Sequence, residues 1–361
     1  MSVSLSKTLS SKIKGTTFLC TILIVLLHAY EESLLSESNH CSFYVAQFLS
    51  MGICGAAVPF FFMVSGFLLA CQYDGGVPYS QLLKKRLISL GKPYVYWCIL
   101  YALAYLLFAI LGNYLAERTL TENTWLAMSH PWMEIFRIFG FDLAGFPADG
   151  PLWYVRNLFL LVLLSPVLIT AMKKKTIGQI VIAFVFVLYL FHFIIPQPWW
   201  QFFDTGFAFR GLLAFLIGIY LERFPITWKP KLAIFLLLCL VWIVLALPWK
   251  LSSNWAFIVL HVSFVIGCIA LWSIYDYIPW REKLESWHCL RYSFFIFASH
   301  FAILNILFCL KGCNFLRKHI IDSDWLIYFL RFLVPLSISF GLAFVLERYF
   351  PKLYHALTGG R

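Results

Sequence analysis

The strongest constraint on this chain is a succession of apolar stretches, each about 20 residues long and nearly free of charge. Wound as a helix rising about 1.5 Å per residue, such a stretch matches the roughly 30 Å hydrocarbon thickness of a bilayer. The runs are continuous and do not alternate with a period of two, so helices are expected to span, not the strands of a barrel. Composition agrees: 61% of the 361 residues are hydrophobic and 12% charged, against roughly 45–50% and 25% in soluble domains. An ordinary soluble domain is excluded.

Ten spans are expected, at about 14–30, 43–70, 93–112, 151–172, 177–196, 207–223, 231–248, 255–275, 290–310 and 325–347. The fold class is therefore an all-α polytopic membrane helix bundle of about ten transmembrane helices, read as a single domain over 1–361 without an appended soluble domain. A net charge of +11 could suggest nucleic acid, but the basic residues fall in short clusters at the ends of apolar runs, which sets membrane orientation instead. Lys7, Lys12 and Lys14, Lys84 to Arg86, Lys173 to Lys175, Lys229 and Lys231, and Arg348 and Lys352 share one side if both termini are cytoplasmic. Fewer lie opposite: Arg118, Arg137, Lys250, Lys311, Arg317 and Lys318. Trp125, Trp132, Trp199, Trp200, Trp249, Trp255 and Trp325 belt the outer interface in this topology, and Trp228, Trp280 and Trp287 the inner one.

The ten cysteines include no CxxC pair and no zinc spacing, so no metal site and no disulfide framework is expected. The N-terminal segment lacks a small-residue cleavage site and reads as a retained signal anchor.

Polar residues inside spans are costly and mark functional interiors or well-satisfied packing. The first span, KIKGTTFLCTILIVLLHAYEE, carries Lys14, Thr17, Thr21 and His28 within an arc of about 60°, and Lys14 and His28 lie about 21 Å apart along the axis. This stripe would lead from the cytoplasmic face to a histidine in the outer half, with Glu32 one turn beyond. The alternative is that the threonines bond their own helix. Ser65 and Gly66 interrupt an aromatic run in VPFFFMVSGFLLA, where small side chains admit a ligand or a neighbouring backbone. The stretch YSQLLKKRLISLGKPY, with Lys85 and Arg86, could hold phosphates of a soluble donor or read anionic lipid. Arg156 and Arg210 sit near the outer ends of their spans, where they could snorkel or meet an anion. His300, in FFIFASHFAIL, is a second cavity histidine or a packing residue, and Glu347 with Arg348 reads as an ion pair at the inner interface.

Taken in order, TTFLCTILIVLLH, VPFFFMVSGFLLA, LLKKRLISLGKPYVYW, GPLWYVRNLFLLVLLSPVL, FRGLLAFLIGIYL and SFFIFASHFAIL resemble the acyltransferase 3 family, membrane enzymes that O-acylate cell-surface glycans. The resemblance spans essentially the whole chain. It implies a multi-pass protein of the cell (inner) membrane, an acyl-CoA co-substrate (acetyl-CoA by the family's default), no tightly bound cofactor, and a surface polysaccharide or lipid-linked glycan as acceptor. It also implies His28 as the catalytic general base; the residues read above, Lys14, Thr17, Thr21, Ser65, Lys85, Arg86, Arg156, Arg210 and His300, are the candidates for the substrate side, with Arg156 or Arg210 as a stabiliser of the oxyanion. The family has an arginine where this chain has Thr17, and a second loop arginine where it has Ser89. A rival from the residues alone is a transporter of a small or glycan-related solute, although no internal repeat supports it.

Overall fold

A computed structural model describes residues 6–30, 40–115, 117–119, 131–140, 147–194, 209–225, 231–247, 254–279, 281, 283, 286–308, 310–321 and 323–360. Every regular element among them is helical. We label the α-helices α1 (Lys7–Ala29), α2 (His40–Gln47), α3 (Ala57–Asp74), α4 (Tyr79–Arg86), α5 (Lys92–Leu115), α6 (Pro131–Ile138), α7 (Trp153–Ala171) and α8 (Lys175–Ile194). They continue with α9 (Phe209–Arg223), α10 (Leu232–Ala246), α11 (Asn254–Ile274), α12 (Ser293–Leu307), α13 (Leu310–His319), α14 (Asp324–Tyr349) and α15 (Pro351–Thr358). Seven described helical segments are long and apolar enough to cross a membrane. The other three expected spans coincide with the shorter helices α8, α9 and α10. The chain is thus a multi-pass helix bundle. Glu31, Glu32, Lys229, Lys250, Trp125, Trp199, Trp200, Trp228, Trp249 and Trp280 lie outside the described residues.

Two spans are longer than their apolar runs suggested. The second runs Tyr44–Asp74 and passes through a π-helical turn at Phe48–Ile53 and a 3₁₀ turn at Cys54–Ala56. The third runs Tyr79–Tyr114, because the basic stretch is itself helical and joins α5 through a π turn at Leu87–Gly91. Pro93 has no N–H to offer that turn and its ring crowds the carbonyl four residues back, a conflict that a widened turn relieves.

α1 is packed against α3, α12 and α14, which places His28 in the interior. α3 and α9 cross in backbone contact. A Cβ on Gly66 would stand 2.1 Å from the Phe215 carbonyl oxygen, and one on Gly218 would stand 1.9 Å from that of Met63. Gly66 of the second span therefore serves helix packing, as small residues do in membranes. The rim faces outward with apolar side chains, such as Leu103, Leu107 and Phe108 on α5 and Leu236, Leu237 and Leu240 on α10. Lipid is the solvent for such a surface.

α12 and α14 run antiparallel and are tied at three heights. Ser299 donates to Ser339 Oγ (2.9 Å) at mid-length, and Arg331 donates to the Phe308 carbonyl (2.7 Å) at one end. At the other end Glu347 pairs with Arg291 and accepts from Tyr292 Oη (2.6 Å). The ion pair expected between Glu347 and Arg348 is replaced by this one, because successive helix residues diverge by about 100° and Arg348 turns away.

Candidate active site

His28 occupies the last turn of α1. Its ring contacts that of His300 on α12, with centroids 5.3 Å apart, and meets Phe301 edge-on at 5.1 Å. His28 is partly exposed, whereas His300 is fully buried. His300 Nδ1 lies 3.1 Å from the Ile296 carbonyl and 2.8 Å from that of Phe297. Carbonyls only accept, so Nδ1 carries the proton and the neutral ring keeps its lone pair on Nε2. That Nε2 is buried and makes no hydrogen bond. Two imidazoles are thus held in ring contact, one with its tautomer fixed.

The C-terminal ends of the two helices that carry the histidines are fastened by a residue that sequence reasoning left unassigned. Arg331 on α14 is buried, and its Nε donates to the Ala29 carbonyl (2.8 Å) while Nη1 donates to that of Phe308 (2.7 Å). These are carbonyls at the C-terminal ends of α1 and α12, which have no partner within the helix, and a cation there also suits the helix dipole. Ser50, in the π turn, donates to the Leu26 carbonyl (2.9 Å) and bonds Tyr328 Oη (2.9 Å). The only signal for Arg331 was a charge inside a predicted span, and nothing local names the carbonyls it will reach.

A chain of contacts leads from the histidines toward the basic stretch. His300 neighbours Phe297 (6.3 Å), and Phe297 neighbours Phe61 (6.2 Å) and Tyr154 (5.7 Å). Tyr154 Oη bonds Ser65 Oγ at 3.1 Å. Arg86 lies within electrostatic range of Tyr154, and its Nε is buried without a hydrogen bond. Ser65 is therefore joined through Tyr154 to the rings that reach His300, and Arg86 approaches the same tyrosine, while Lys85 is exposed at the end of α4.

Other candidates are placed elsewhere. Lys14 is exposed, and it is Lys12 that turns inward, pairing with Asp276 (2.6 Å) above the Trp272 ring (4.8 Å). Thr21 is buried and donates to the Thr17 carbonyl (3.0 Å), so it satisfies its own helix. Thr17 Oγ1 is buried without a hydrogen bond. Arg156 is taken up locally, donating to the Gly140 carbonyl ahead of α7 and to its neighbour Asn157 Oδ1 (3.1 and 3.0 Å). Arg210 lies over the rings of Trp153 (5.8 Å) and Phe264 (5.7 Å), beside a cavity that includes neither histidine in its lining.

Asp149 was also missed by sequence reasoning. It is fully buried just before α7, and neither carboxylate oxygen makes a hydrogen bond. Burial pushes its carboxyl well above the usual carboxylate range. The adjacent Gly150 packs on Phe301, the ring that edges His28. The sequence around it, FPADGPLW, reads as a turn and gives no sign that the carboxyl is enclosed.

Comparison with known proteins follows the same lines. Residues 14–348 match a family model described as an acyltransferase domain, Acyl_transf_3. The chain is 24% identical over 328 residues to the succinoglycan biosynthesis protein ExoH of Rhizobium meliloti (strain 1021), covering 87% of this chain and 81% of that protein. No solved structure matches.

Proposed function

The chain belongs to the acyltransferase 3 family, and from that premise we propose that it moves an acyl group from a cytoplasmic acyl-CoA to a hydroxyl of an extracytoplasmic glycan. The paired histidines carry this reading, since a partly exposed imidazole braced by a second, tautomer-fixed one is suited to take a proton. The similarity to a succinoglycan biosynthesis protein supports a polysaccharide or lipid-linked glycan as acceptor. Acetyl is the acyl group expected from the resemblance. The whole chain acts as one membrane domain in the cell membrane, both termini facing the cytoplasm, with the donor as a co-substrate and no tightly held cofactor.

In this reading, basic Lys84 to Arg86 attract the donor phosphates, and the route past Tyr154 and Ser65 carries the thioester toward His28. His28 removes the proton of the acceptor hydroxyl as its oxygen attacks the thioester carbonyl. The tetrahedral intermediate then expels the CoA thiolate, which takes up the proton from the imidazolium. His300 supplies the Nε2 lone pair next to the ring that becomes positive. Arg156 is committed to Gly140 and Asn157, so it is not assigned to the oxyanion.

The test is mass spectrometry of surface glycans from cells lacking the protein, complemented by wild type or His28→Ala at equal membrane abundance. An O-acyl mass increment restored by wild type and reduced about 10²–10⁴-fold in rate by the variant is expected of a general base. Full rescue by His28→Ala would sink that role.

A further inference from the structure

A cavity of about 800 Å³ lies on the far side of α3 from the histidines, between α3, α9 and α11. That volume is within the roughly 300–1,000 Å³ of sites for small ligands. On α9 it is lined by Arg210, Leu213, Ala214, Ile217, Gly218 and Leu221, a spacing of three and four that marks one helix face. On α11, His261, Val265, Cys268 and Trp272 repeat the pattern. The cavity is therefore a slot parallel to the helices, and from Arg210 to Leu221 it extends about 16 Å, over half the hydrocarbon thickness.

Its charges stand at the two ends and differ. At one end Lys12 is already neutralised by Asp276. At the other, Arg210 has only the faces of Trp153 and Phe264, and no acidic partner among the described residues. A guanidinium at the end of an apolar slot, held only by ring faces, keeps its donors for a ligand, and its planar fork matches phosphate oxygens.

We propose that this slot binds one long-chain lipid bearing a phosphate-type anion, with the chain along α9 and α11 and the headgroup at Arg210. The inference rests on the acyl-transfer reading for one step only, that the lipid carries the glycan acceptor. Trp153 adjoins Tyr154, and Phe62 packs on both (6.0 and 4.7 Å), so a headgroup at Arg210 lies one aromatic layer from the Ser65–Tyr154 pair.

The full chain in detergent, without acyl donor, is mixed with undecaprenyl phosphate, phosphatidylglycerol or uncharged undecaprenol, and lipid retention is read by native mass spectrometry. One phosphate lipid per chain is expected, held about tenfold more tightly than undecaprenol, with the preference lost in Arg210→Met. Ile217→Trp keeps the charge and fills the slot, so it is expected to lose retention while eluting as wild type does. Preference for undecaprenyl phosphate over phosphatidylglycerol supports a carrier of the acceptor, and preference for phosphatidylglycerol keeps the slot but overturns that step. Equal retention of undecaprenol, or retention unchanged in both variants, overturns the proposal. Because no donor is present, lipid retention without any acyl transfer in cells would fault the reaction and leave the slot standing.

Discussion

Around His28 the interior is crowded with rings and closed by hydrogen bonds, whereas across α3 the slot beside α9 and α11 is smooth, apolar and charged only at its ends. The first region holds atoms in fixed relation: His300 has one tautomer, and Arg331 fastens two helix ends. The second offers volume and a single direction. Chemistry needs the former, because a reacting group displaced by about 1 Å can cost 10²-fold, and a chain-like ligand needs only the latter. One helix, α3, serves both, presenting Phe61 and Ser65 to the histidine side and Met63, Val64 and Phe67 to the slot.

The contrast can be broken by untying the fixed region. Arg331→Gln removes the clamp on the Ala29 and Phe308 carbonyls. It is expected to lower kcat about 10²-fold, with KM for the acyl donor little changed and Arg331→Lys restoring part of the rate. A rise in KM at constant kcat would contradict a positioning role. Next in size is the wall between the regions. Gly218→Ala drives a methyl group into the Met63 backbone, and overpacking of this kind costs about 1–3 kcal/mol. The midpoint of thermal unfolding in detergent should fall, and an unchanged midpoint would mean that α3 and α9 separate readily.

Asp149 sharpens the comparison through pH. Its folded form keeps a proton that the unfolded chain releases above about pH 3.9. Stability from this group is therefore greatest below that value and falls as pH rises toward the raised folded pKa. Asp149→Asn keeps the neutral shape and removes the dependence, so its thermal midpoint should gain on wild type as pH rises above about 4. A gap that stays constant would show that the carboxyl is not protonated in the fold. The smallest effect is expected at Thr21, whose hydroxyl only bonds its own helix. Thr21→Val should leave acyl transfer within about twofold and stability within about 0.5 kcal/mol, and a larger loss of activity would return the threonines to the substrate route.

The stripe on α1 illustrates what periodicity can and cannot give. Spacing correctly set Thr21 on an inward face with His28, but it could not say that Thr21 would turn back to its own carbonyl or that Lys12, two residues before Lys14, would be the inward cation. Ser65 and Gly66 were legible as a close approach, yet the backbone that approaches, Phe215 of α9, is about 150 residues away in the chain. Arg156 and Arg210 looked alike in the sequence, each near the outer end of a span. They part because Arg156 meets a carbonyl and an amide, while Arg210 meets only rings.

By itself the sequence determined that the chain is a bundle of membrane helices and that a histidine lies inside it, because runs of about 20 apolar residues have few other stable forms in lipid. It also carried the family, through motifs that keep their order along the chain. Only the tertiary structure decided which second histidine faces the first, which arginine ties their helices together and which arginine overlooks an apolar slot. The reason is physical: span formation depends on local composition and length, whereas each of these partnerships joins residues on different helices and exists only once the helices have packed.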